Sequence, residues 1–294
     1  MAKKNNNELG LIQSRYAGEG KATEFGFTAL PVDPLEIAGK VDIDVQAKPK
    51  TTVGVSGMLL RHGDNFGILY ATHIENPGFQ RFSIGHELGH YFLPGHIDAV
   101  LGGCNMHESR AGFTSGDKYE MEADHFAAGL LMPQKLFIPA MRRAGEGLAA
   151  IEYLASLCQT SLTATAIRFT QCSRDPVAIV VSTGHTIHYC FMSDSLRDVD
   201  GIDWIRKREA IARNTPTFTF NQDLSKVQQA ARVTATSNFQ DWFGGHHSIE
   251  IREDVIGLGG YGKTLTVLHE IDIADEDEED EEKLIESWTP RFRR

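Results

Sequence analysis

A chain of 294 residues has room for two domains of ordinary size. Hydrophobic residues make up 41% and charged residues 23%, as in a soluble globular protein, and no run is apolar enough to span a bilayer. The net charge of −11 is lopsided, because DEDEEDEE (residues 275–282) supplies −8 of it; the mildly acidic remainder argues against a broad nucleic-acid-binding surface.

Residues 1–25 are polar, contain Asn and Gly, and read as a mobile segment. The opening MAKKNNNELG has no apolar core of a secretion signal, and Cys104, Cys158, Cys172 and Cys190 form no CxxC pair. Together these features read as a cytoplasmic protein with reduced thiols. PVDPLEIAGKV is a short helix entry, and TTVGVSGMLL and NFGILYAT are strands joined by the turn-like RHGDN. The GILYAT strand is expected to be a sheet edge on which an extended peptide docks. A helix carrying HELGH follows, stopped by Leu93-Pro94-Gly95. Residues 116–131 form the next strong helix, and PQKLFIPAMRRAG, GLAAIEYLASLC and SLTATAIRFTQC are three more. Beyond Arg174-Asp175-Pro176 the character changes to a hairpin (VAIVVS, IHYCFM), a charged helix (DWIRKREAIARN), a polar helix near DLSKVQQAARV and two strands (HSIEIREDVI, KTLTVLHEI). The expected fold is α+β throughout. A mobile segment (1–25) precedes a metal-site domain with a helical extension (26–175), an α+β domain (176–271) and an acidic tail (272–294).

The chemistry concentrates in RFSIGHELGHYFLPGH, residues 81–96. His86 and His90 are four apart, so on a helix both imidazoles share one face and can grip one ion. Glu87, beside the first of them, is placed to act as general base. Two third ligands compete. His96 gives HExxHxxxxxH, but the glycine that this metzincin spacing requires three residues after the second histidine is Leu93 here. On the next helix Glu120 and Asp124 form ExxxD, one turn apart on one face. That context favours a His₂Glu site with Glu120 as ligand, and with Asp124 accepting the second N–H of a ligand histidine. Glu122 faces away from Glu120 and ranks lower. Tyr119, His125 and His96 are the nearby candidates for stabilising an oxyanion.

RFSIGHELGHYFL followed by YEMEADHFAAGLLMP resembles the ImmA/IrrE family of zinc metallopeptidases. PVDPLEIAGKVDIDV, the GILYAT strand, SLTATAIRF and, more weakly, LGGYGKTLTVL are also similar to it, so the likeness covers residues 31–175 well and the rest loosely. The resemblance implies a zincin-like domain with Zn²⁺ held by His86, His90 and Glu120 and with Glu87 as base. It also implies a soluble bacterial or phage enzyme that cleaves a helix-turn-helix repressor, relieving repression of stress-response or mobile-element genes. The alternative is a non-enzymatic, metal-containing regulator in which residues 176–271 sense a ligand.

Two further patterns carry less. GLGGYGKT (residues 257–264) matches a P-loop formally, but a strand-like TLTVLHEI follows where a helix must open, so a hairpin turn is expected and no nucleotide. GLAAIEYLASLCQTSLTATAIRF has a helix-turn-helix shape, yet its second helix offers only Arg168, so direct DNA binding is not expected.

Overall fold

The computed structural model describes residues 2–48, 54–109 and 117–273, the side chains of residues 2–7 excepted. They divide into two units between Cys172 and Ser173. The acidic run 275–282 lies outside the described residues.

The first unit comprises helices α1 (Ala2–Glu24), α2 (Pro34–Lys40), α3 (Pro77–Phe92), α4 (His96–Leu101), α5 (Lys118–Leu131), α6 (Gln134–Ala144), α7 (Gly147–Cys158) and α8 (Leu162–Cys172). Its strands are β1 (Asp44–Lys48), β2 (Gly57–His62), β3 (Asn65–Ala71) and β4 (Met106–Ser109), in the order β1-β3-β2-β4. β1 runs parallel to β3 and the other pairings are antiparallel. GILYAT is therefore not an edge. On β3, Leu69 faces Gln46 of β1 on one side and Ile68 faces Leu59 of β2 on the other. Among the described residues the edges are β1 and β4, two short polar strands that alternation alone does not announce.

Local chemistry sets the helix starts. Asp33 caps α2, accepting from Leu35 N; Asn76 caps α3, accepting from Phe79 N; and Asp117 caps α5, accepting from Tyr119 N and Glu120 N. Small residues then let α3 and α5 cross closely. An added Cβ on Gly89 would lie 3.1 Å from Ala123 Cα, and one on Gly85 would lie 3.4 Å from Ala127 Cβ. Around the crossing, Leu59, Ile68, Ile84, Leu88, Phe126 and Leu130 form the core.

The stretch expected to be mobile is the long helix α1. Its polar composition hides a close approach to α5: a Cβ on Gly18 would strike the Phe126 carbonyl, and one on Gly129 would strike the Arg15 carbonyl. The helices α7 and α8 are also not a free DNA-reading pair. Residues 164–170 of α8 are all buried. Arg168 donates to Glu19 of α1 at 2.5 Å and to the Met132 carbonyl at 3.0 Å.

The second unit has β5 (Ala178–Thr183), β6 (Thr186–Met192), β7 (Arg232–Asn238), β8 (Glu250–Gly257) and β9 (Thr264–His269) in one antiparallel sheet, ordered β6-β5-β9-β8-β7. Short helices α9 (Asp194–Arg197), α10 (Pro216–Asn221), α11 (Leu224–Gln228) and α12 (Phe239–Phe243) accompany it. The charged helix expected over 203–214 is absent. Its backbone bonds the hairpin instead, Ile187 N to Glu209 O, Arg208 N to Ile187 O and Ile211 N to His185 O. The GLGGYGKT stretch joins β8 to β9 through the short turn Gly259–Tyr261, with a strand and no helix after it. Ala178, Val180, Phe239, Phe243 and Leu268 form a core of this unit's own. A fully buried carboxylate, Glu253, accepts from Thr217 N, Thr217 Oγ1 and Trp242 Nε1.

Candidate metal centre

α3 presents His86 and His90 one turn apart, and the glycine-lined crossing brings α5 against that face. The two Nε2 atoms stand 3.1 Å apart. Glu120 Oε2 lies 3.4 Å from His86 Nε2, and Glu120 Oε1 lies 3.3 Å from His90 Nε2. A tetrahedral ion with ligand atoms at about 2.0–2.1 Å separates neighbouring ligand atoms by about 3.3 Å, so these three donors fit one divalent ion of zinc's size.

Electrostatics agree with the fit. Burial opposes a charge on His86, but hydrogen bonds to Asp124 and Glu120 outweigh it and raise its pKa. Burial pushes His90 down, leaving a neutral ring with a lone pair. Burial works against the Glu120 carboxylate too, yet hydrogen bonds led by those from His107 and His86 hold its pKa well below the usual range.

Each donor has a partner behind it. His86 Nδ1 is 2.8 Å from Asp124 Oδ1, the contact that fixes a ligand tautomer. Glu120 Oε1 is 2.8 Å from Nε2 of His107, on edge strand β4. His90 Nδ1 is 3.2 Å from His96 Nδ1, whose Nε2 is 3.0 Å from Glu122 Oε2. His96 thus lies behind His90 and outside the converging set, which is His86, His90 and Glu120. Gly95, at φ 77°, makes the turn after α3 and starts α4 at His96, which folds the ring back onto the far side of His90.

Glu87 is fully buried, and neither carboxylate oxygen has a hydrogen-bond partner among the described residues. Burial raises its pKa to about 7, with His86 and then the Ser109 hydroxyl, close by but outside hydrogen-bond geometry, pulling the other way. Gly57 of β2 makes its room, since a Cβ there would overlap Glu87 Oε1. Tyr119 packs edge-on against His96, with ring centroids 5.0 Å apart. His125 is pulled down by burial and then by Arg15, an α1 residue. Neither makes a hydrogen bond to the three donors. His107 was missed by sequence reasoning: it lies thirteen residues before Glu120 on a strand without a motif, and only the β2–β4 pairing, with Leu59 opposite His107, brings it in.

A small sheet beside two crossed helices, with the donors on the helices and a bare glutamate between sheet and donors, defines a metallopeptidase-type domain of the zincin class. Residues 38–170 match the model of the Peptidase M78 family, described as the IrrE N-terminal-like domain. A solved Mycobacterium tuberculosis transcriptional regulator is similar in fold, with 15% identity over 87% of this chain and 76% of that one, at a TM-score of 0.54. The comparison with curated proteins gave no match. No helix among the described residues is long and apolar enough to cross a membrane.

Proposed function

We propose that the chain is a zinc-dependent endopeptidase, working in the cytoplasm, that cleaves a helix-turn-helix repressor and so releases stress-response or mobile-element genes. The observation that carries the catalytic reading is the bare Glu87 carboxylate beside a three-residue donor set. A purely structural zinc site has four protein ligands and needs no base; here His96, the candidate for a fourth, sits behind His90. Zinc held by His86, His90 and Glu120 would polarise the scissile carbonyl and bring the pKa of a water to about 7. Glu87 takes the proton of the attacking water and delivers it to the leaving amine. His107 orients the Glu120 carboxylate, and the outer side of β4 offers backbone groups to an extended peptide. The repressor as substrate rests on the family resemblance, and a structural relative that is a transcriptional regulator fits it. The second unit, with its own core, is proposed to sense a signal or recruit the substrate.

The test pairs elemental analysis with incubation against the repressor encoded beside the gene. Glu87→Gln is expected to keep metal and lose cleavage, and Glu120→Ala to lose both. Wild-type protein that carries metal but cuts no candidate repressor would overturn the peptidase reading in favour of a metal-containing regulator.

A further inference from the structure

Asp124 touches His86 directly, but among the described residues no carboxylate touches His90 from behind. The space is filled by His96, which begins α4, and the carboxylate stands one ring further back. We propose that His96 and Glu122 form a positioning relay that fixes the tautomer and orientation of His90; the proposal rests on the reading of His86, His90 and Glu120 as metal ligands.

The hydrogen-bond logic allows one arrangement for neutral rings. A carboxylate only accepts, so at 3.0 Å from Glu122 Oε2 the His96 Nε2 must donate. The Nδ1 of a neutral His96 then holds a lone pair. At 3.2 Å from it, His90 Nδ1 must carry the hydrogen. That leaves the lone pair of His90 on Nε2, the atom 3.3 Å from Glu120 Oε1 and 3.1 Å from His86 Nε2. The carboxylate two rings away thus decides which nitrogen of His90 faces the ion.

The surroundings hold this chain of contacts in place. His90 and His96 are buried, and Glu122 is 8% exposed. Lys118 Nζ reaches the second oxygen of Glu122 at 3.5 Å. A Cβ on Gly10 of α1 would lie 2.8 Å from that same oxygen, so α1 closes over the carboxylate. Glu122 is two residues from Glu120, about 200° around the helix, and cannot join the donor set itself. His96 bridges that angle.

The experiment uses full-length protein stripped of metal and titrated with Zn²⁺ alone against a chromophoric chelator, with cobalt absorption spectra in parallel. Outer partners of this kind contribute about 10- to 100-fold in metal affinity. His96→Phe and Glu122→Leu are expected to weaken zinc binding by that factor while the far-UV circular dichroism of the metal-free protein stays unchanged. His96→Gln is expected to recover most of the affinity, because its amide accepts on one side and donates on the other, and to restore the cobalt spectrum that His96→Phe alters. Zinc affinity within twofold of wild type in both His96→Phe and Glu122→Leu overturns the relay. So does His96→Gln binding as weakly as His96→Phe, since packing alone would then explain the loss. If His96→Phe does not fold, Glu122→Leu and His96→Gln decide. Glu120→Ala tests the underlying ligand set separately: if it binds zinc like wild type, or wild type binds none, the metal reading fails and the relay with it.

Discussion

Two glycines of α3 meet α5 at different depths, and exchanging each for alanine separates helix propensity from packing. In a helix interior alanine is favoured over glycine by about 1 kcal/mol. At Gly85 the new methyl would meet Ala127 Cβ at 3.4 Å and its Cα at 3.6 Å, ordinary contact, so Gly85→Ala should stabilise by up to about 1 kcal/mol. At Gly89 it would sit 3.1 Å from Ala123 Cα and 3.2 Å from Phe126 Cδ1, inside contact and against a neighbouring backbone. Overpacking of this kind costs about 1–3 kcal/mol, so packing wins and Gly89→Ala should be less stable than Gly85→Ala by about that amount. Pushing the helices apart also moves Glu120 from His90, so zinc affinity should fall in Gly89→Ala alone. Urea unfolding of chelator-treated protein measures the difference. Far-UV circular dichroism is the signal used, because the sequence up to Cys172 contains no tryptophan; all three (Trp204, Trp242 and Trp288) come after it. Equal stability of the two variants would refute the claim that the crossing at Gly89 is at its steric limit.

Three other outcomes are expected. In metal-free protein the buried Glu87 carboxyl holds its proton to about pH 7, against an ordinary 4.5. The unfolded chain releases that proton first, so this group's contribution to stability falls as pH rises from 4.5 to about 7. Glu87→Gln should therefore be more stable than wild type by about 3 kcal/mol at pH 8 and much closer to it at pH 5; a difference independent of pH in paired denaturation curves would contradict the burial argument. Gly57→Ala should displace the Glu87 carboxylate, lowering kcat by about 100-fold with zinc content unchanged, and an undiminished kcat would show that Glu87 works from another position. Glu19→Ala leaves the Arg168 guanidinium, 2% exposed, without its carboxylate and should cost about 3 kcal/mol in a urea melt; a loss below about 1 kcal/mol would show that the pair is not what ties α1 to α8.

The parts of the site that a single helix face defines were legible in the sequence. His86 and His90 share a face through their spacing of four, as do Glu120 and Asp124. What depended on partners distant in the chain was not legible. His107 acquires its place only when β4 pairs with β2, and Glu122 looks misdirected until α4 carries His96 back to meet it. α1 has the composition of a solvated segment, because its contact with α5 is made by glycines, which leave no hydrophobic stripe to read. Residues 203–214 failed for the opposite reason. Helix-favouring residues such as Arg, Lys, Glu and Ala are overridden there by backbone bonds to the neighbouring hairpin.

The docking of α1 on α5 bears on how the chain is made. α1 is complete at Glu24, whereas α5 does not begin until Lys118. At about 5–20 residues per second, roughly five to twenty seconds of synthesis separate the helix from its partner. During that interval an oily helix would be exposed to every other nascent chain, whereas one rich in Lys, Asn and Gly can stay hydrated while it waits. The same delay places any capture of metal by His86, His90 and Glu120 after translation of α5, because Glu120 does not exist before then.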